Sequence, residues 1–90
     1  MIEVGGVKVA LKVNTLWAVI KYEELSGKRW GDPMGLTEMV KYIYAGYFAG
    51  QKIAGGEIIS FDQFVDEVQD IDKLTELMES INPTRPQVID

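Results

Sequence analysis

The sequence predicts a mainly α-helical α+β domain, with an N-terminal β-hairpin packed on about four helices. Three observations carry this. One segment near the start alternates apolar and polar residues with a period of two. It is followed by several apolar stripes with a period near 3.6. Glycine pairs and a capping motif punctuate the stripes. At 90 residues the chain has the length of one domain. Residues 1–82 are read as that domain and residues 83–90 as a mobile tail.

The hairpin signal is "IEVGGVKVALKV". Gly5-Gly6 supplies the positive φ angles of a two-residue turn. Val7, Val9, Leu11 and Val13 then alternate with Lys8, Ala10 and Lys12, giving one apolar face. A lone hairpin is marginal in water, so this face must cover something, and a two-stranded ribbon has open edges. Val7, Val9, Leu11 and Val13 are therefore the expected self-association edge, unless a helix covers them.

Residues 15–26 read as the first helix, with Asn14 as N-cap. Leu16, Val19 and Ile20 form one stripe; Ala18, Tyr22 and Leu25 form another. A helix this apolar is enclosed on more than one side. Glu23 falls among the apolar positions, between Val19 and Leu16. Its carboxylate reaches the rim, pairs with a nearby lysine, or serves an interface. Gly27 fits the left-handed position that stops helices, and Lys28 and Arg29 suit the C-terminal dipole.

"WGDPMG" is a loop or a single turn, and Asp32-Pro33 is a candidate helix start. The second helix runs from about Leu36 to Ala54 and is stopped by Gly55-Gly56. Leu36, Met39, Val40, Ile43, Tyr47 and Gly50 line one face, with Tyr44 and Phe48 at its margin. Gly46 and Gly50 have the spacing of a close approach by a neighbouring backbone. Ser60-Phe61-Asp62-Gln63 is a capping box, with Ile59 and Phe64 placed as its hydrophobic staple. Phe61, Phe64, Val65 and Val68 make the third stripe. The period slips near Asp70, and Ile71, Leu74, Leu77, Met78 and Ile81 form a fourth that ends at Asn82-Pro83.

Composition narrows the function classes. The chain has no cysteine and no histidine. Disulfides, thiolate metal sites and the commonest general base are absent. No phosphate loop, dinucleotide fingerprint or activated nucleophile is present, so the expectation is a non-enzymatic protein without cofactor or metal. The net charge of −5 is uneven. Residues 1–56 hold seven basic against five acidic side chains, residues 57–90 two against nine. That basic excess is too small for nucleic-acid binding. Asp62, Asp66, Glu67, Asp70, Asp72, Glu76 and Glu79 lie mostly off the apolar stripes and read as a solvated face. The start resembles no signal peptide and no apolar run spans a membrane, so the expected location is cytoplasmic. Tyr44, Phe48, Trp17 and Trp30 belong to an aromatic set large for so small a body. They are the expected partner-binding residues, with Tyr44 and Phe48 as anchors.

The stretches "IEVGGVKVALKV", "LWAVIKYEELSGK" and "SFDQFVDEVQDIDKLTELMESI" follow in an order that resembles the small tail assembly chaperones of long-tailed bacteriophages and prophages. The resemblance spans residues 2–81. Gly27 is part of its pattern, and either Glu23 or Glu24 matches the family's glutamate. It implies a non-enzymatic protein that binds the tape measure protein and shields its apolar helical surface. It also implies delivery of tail tube protein to that partner, and self-association into a homo-oligomer. A structural head–tail connector or minor tail protein, or an acidic regulator of a basic protein, are the alternatives.

Overall fold

A computed structural model of the chain describes residues 2–4, 7–69 and 72. The described chain is mainly helical. Strand β1 (Ile2–Val4) and strand β2 (Val7–Val9) precede helix α1 (Leu16–Ser26), helix α2 (Leu36–Ala54) and helix α3 (Phe61–Glu67). The two strands pair antiparallel, with Ile2 opposite Val9 and Val4 opposite Val7. The expected fourth helix and the tail from 83 lie outside the described residues.

The alternating segment was expected to stay a strand through Val13, but β2 stops at Val9. Past that point the backbone turns to α2 for its hydrogen bonds. The Lys12 N–H donates to the Gly46 carbonyl at 3.0 Å. The carbonyl of Ala10 lies where a Cβ on Gly50 would stand, and the Val13 Cγ1 lies 2.6 Å from where a Cβ on Gly46 would stand. The two glycines, four residues apart, thus open a channel on α2 for residues 10–13. This is the close backbone approach their spacing predicts. Val9 and Val13 are buried in the core and do not form an open self-association face. Leu11 is partly buried against that core.

Helix α1 starts one residue later than expected. Thr15, not Asn14, is the N-cap: its Oγ1 accepts from the Ala18 N–H at 3.3 Å and donates to the Lys12 carbonyl at 2.8 Å. Gly27 closes the helix with φ 70°, its N–H on the Glu23 carbonyl. Helix α2 begins at Leu36, as its sequence predicts, where the Glu38 carboxylate reaches back to accept the Gly35 N–H at 2.9 Å; no helix starts at Asp32-Pro33. Ser60 caps α3 through the Gln63 N–H at 3.1 Å.

Helix α2 is the central element. Tyr42 to Tyr47, Ala49 and Gly50 are all buried. It packs against α1, β2 and α3, so its middle is covered on several sides and only Phe48 there stays partly exposed. That corrects the one-sided stripe expected from its sequence. Phe64 of α3 is fully buried against Tyr44 and Tyr47, at ring-centroid separations of 5.2 and 5.3 Å. Burying one such side chain is worth about 1.5–3 kcal/mol.

Candidate functional site

Tyr44 is 5 % exposed, so it cannot anchor a partner. Its hydroxyl donates to the Ile59 carbonyl at 2.7 Å. Tyr47, one turn further on, accepts from the Ile59 N–H at 3.0 Å and donates to the Glu57 carbonyl at 3.2 Å. The Gln51 carboxamide donates to that same carbonyl at 2.8 Å. These bonds hold backbone groups of segment 57–59, which has no strand partner among the described residues. Burial raises the pKa of the Tyr44 phenol, with Tyr47 adding to the shift.

The stretch "KYEELSGKRW" is a helix end that places Trp30. The Glu23 carboxylate accepts the Trp30 N–H at 2.9 Å. Ser26 Oγ donates to the Tyr22 carbonyl at 2.7 Å and accepts the Lys28 N–H at 3.0 Å. The Trp30 ring then lies 5.9 Å from Tyr22 and 5.2 Å from Tyr42. Glu23 is therefore a tether between helix and loop, and its partner is a backbone amide rather than a lysine. Trp30 is half-buried and supports the core. The Tyr22 hydroxyl beneath it is buried without a hydrogen-bond partner among the described residues. Its pKa is raised, chiefly by burial, with the nearby Ser26 hydroxyl opposing the shift and Glu38 and Asp32 adding to it; the Ser26 hydroxyl itself is committed to the Tyr22 carbonyl.

The expected anchors that reach the surface are Trp17 and, partly, Phe48. Their rings meet edge-on at 6.3 Å. The Lys52 ammonium lies 4.7 Å over Trp17, and Lys21 lies 4.4 Å over Phe48 while pairing with Glu24 at 3.2 Å. Besides Trp17, the large apolar residues left exposed include Leu16, Ile20 and Ile53, which the sequence did not single out for binding. Leu16 is 77 %, Trp17 44 %, Ile20 47 % and Ile53 58 % exposed. Leu16 and Ile20 are four apart and share one side of α1. The opposite stripe, Ala18 and Tyr22, is the one buried. A signal was present: only the stripe bearing the small residue lets two helices approach closely.

A cleft of about 360 Å³ lies between the strand pair, α2 and α3, with Val4, Val9 and Ile59 in its wall and Gln51, Glu57 and Glu67 among its polar groups. Of the acidic residues read as a solvated face, the described ones, Asp62, Asp66, Glu67 and Asp72, are exposed. Among the described residues no three potential metal ligands come together, and no helix is long and apolar enough to cross a membrane. No protein-family model, curated protein or solved structure matches the chain.

Proposed function

We propose that the chain is a non-enzymatic tail assembly chaperone of a long-tailed bacteriophage or prophage. It acts in the host cytoplasm, holds a helix of the tape measure protein, and helps bring tail tube protein to it. The observation that carries this is the exposed apolar face of α1: Leu16, Trp17 and Ile20. Single exposed apolar residues are ordinary, but a contiguous helix-borne group is the kind of surface that takes an amphipathic helix. The order of motifs from residue 2 to 81 supplies the family. On this reading the complete fold is α+β, with the strand pair at one end and a fourth helix over about residues 71–81.

The test is co-expression with a helical tape measure segment, scoring how much of that segment stays soluble. Wild type should keep it soluble. Leu16→Ser with Ile20→Ser should abolish the effect while leaving the fold intact. If wild type leaves the segment insoluble, the chaperone reading gives way to a structural connector.

A further inference from the structure

The cleft between the strand pair, α2 and α3 shares no residue with the exposed face of α1. Its volume of about 360 Å³ falls in the lower range of small-molecule sites. At the ~30 Å³ that a water occupies in the liquid, it has room for about a dozen non-hydrogen atoms.

Val4 of β1 and Val9 of β2 lie on one face of the strand pair, and both are buried. With Ile59 they give the cleft an apolar floor. Tyr47 and Gln51 stand one turn apart on α2, and Gln63 and Glu67 one turn apart on α3, so each pair shares one side of its helix. Glu57 comes from the segment between those helices.

The polar groups at the mouth are mostly acceptors. The Tyr47 hydroxyl is committed to the backbone of Glu57 and Ile59. The Gln51 carboxamide donates from Nε2 to the Glu57 carbonyl at 2.8 Å, which leaves its Oε1 to accept. The exposed carboxylates of Glu57 and Glu67 have no ion pair among the described residues, and no basic side chain lines the cleft. Acceptors of negative charge above an apolar floor match a ligand with positive, hydrogen-bond-donating ends and an aliphatic body. Two carboxylates on separate elements favour more than one ammonium group.

We infer that this cleft binds a small linear aliphatic polyamine. The alkyl chain lies on Val4, Val9 and Ile59, and the ammonium groups meet Glu57, Glu67 and the Gln51 oxygen. Both carboxylates are exposed, so the binding is modest and sensitive to salt. The inference goes beyond the chaperone reading and does not rest on it.

The test titrates spermidine into the full chain at low salt, followed by calorimetry and by NMR of the Gln51 and Gln63 side-chain amides. Saturable binding of one spermidine per chain is expected, with shifts centred on those amides and on the methyls of Val4 and Val9. Glu57→Gln and Glu67→Gln should each weaken it about threefold, and together about tenfold. Gln63→Phe should abolish it by filling the cleft, while the Ser60 cap, which uses the Gln63 backbone N–H, stays formed. Asp66→Asn removes an exposed carboxylate outside the cleft and should change nothing. Binding that does not saturate, or that Asp66→Asn weakens as much as Glu67→Gln, is loose counterion attraction and overturns the inference. Magnesium that displaces spermidine at equal charge shows that the apolar floor plays no part, and overturns it too. So does a lysine-bearing peptide that fills the cleft where spermidine does not. Leu16→Ser with Ile20→Ser should leave spermidine binding unchanged. Spermidine bound while the tape measure segment stays insoluble fails the chaperone reading alone; the reverse result fails this inference alone.

Discussion

Replacing Gly50 by alanine tests how residues 10–13 are held. On a solvent-exposed helix surface this change would stabilise by about 1 kcal/mol, because glycine is the poorer helix former. Here the new Cβ would run into the carbonyl oxygen of Ala10, with the carbonyl carbon 3.1 Å away. Both groups are backbone, so no rotamer change relieves the clash, and α2 and the 10–13 segment must separate. Overpacking of this kind costs roughly 1–3 kcal/mol. Displacing the segment also strains the bond from the Lys12 N–H to the Gly46 carbonyl, worth about 1 kcal/mol. The expected outcome is a net loss of about 2 kcal/mol, a large part of the stability of a domain this small. Gly46→Ala should cost less, because its new Cβ meets the Val13 Cγ1, the end of a side chain that can turn. Urea denaturation of the three proteins measures the order. If Gly50→Ala gains about 1 kcal/mol like an exposed helix glycine, the segment does not rest on α2 and the argument is refuted.

Three further changes probe other joints. Ser60→Ala removes the oxygen that accepts the Gln63 N–H and should cost about 1 kcal/mol in urea denaturation; an unchanged midpoint means the cap is not formed. Tyr22→Phe deletes a buried hydroxyl with no partner among the described residues and should be neutral or slightly stabilising, whereas Tyr44→Phe strands the Ile59 carbonyl and should cost roughly 1–3 kcal/mol; equal effects from the two would be evidence against this contrast. Burial raises both phenol pKa values above the ordinary 10.0, so the folded state holds protons that the unfolded state releases. Stability should be intact below pH 10.0 and fall as the pH climbs above it. Tyr22→Phe should reduce that fall, and denaturation midpoints along an alkaline series measure it.

What the sequence made legible was set by strong local signals. The bounds of α2, Leu36–Ala54, follow from a long period-3.6 run stopped by Gly55-Gly56. The Ser60 cap and the Gly27 stop are local backbone chemistry, and local chemistry survives tertiary context. The misreadings arose where tertiary packing decided between equals. Asn14 and Thr15 are both good caps, and only the hydrogen bond of Thr15 to the Lys12 carbonyl separates them. The alternation through Val13 is the signature of a strand, yet residues 10–13 are an irregular segment whose apolar side chains pack on α2. Tyr44 seemed marginal because a helical wheel allows one covered face, whereas α2 is covered on several sides. The same limit hid Leu16 and Ile20. Helix α1 carries two apolar stripes of similar strength, and the wheel does not say which one the domain uses.

That second stripe sets how strongly anything can bind it. Trp17, Ile20 and Ile53 are already about half covered, and Leu16 about a quarter. Burying the remainder recovers roughly half of the 1.5–3 kcal/mol each would give from full exposure. A helix laid on this face recovers that once, against an association cost of roughly 4–15 kcal/mol. The gain does not exceed the cost, so these four side chains alone would hold a partner weakly and reversibly. On the proposed reading, a partner helix must therefore continue past Leu16 and Ile20 and gather further apolar contacts to be held.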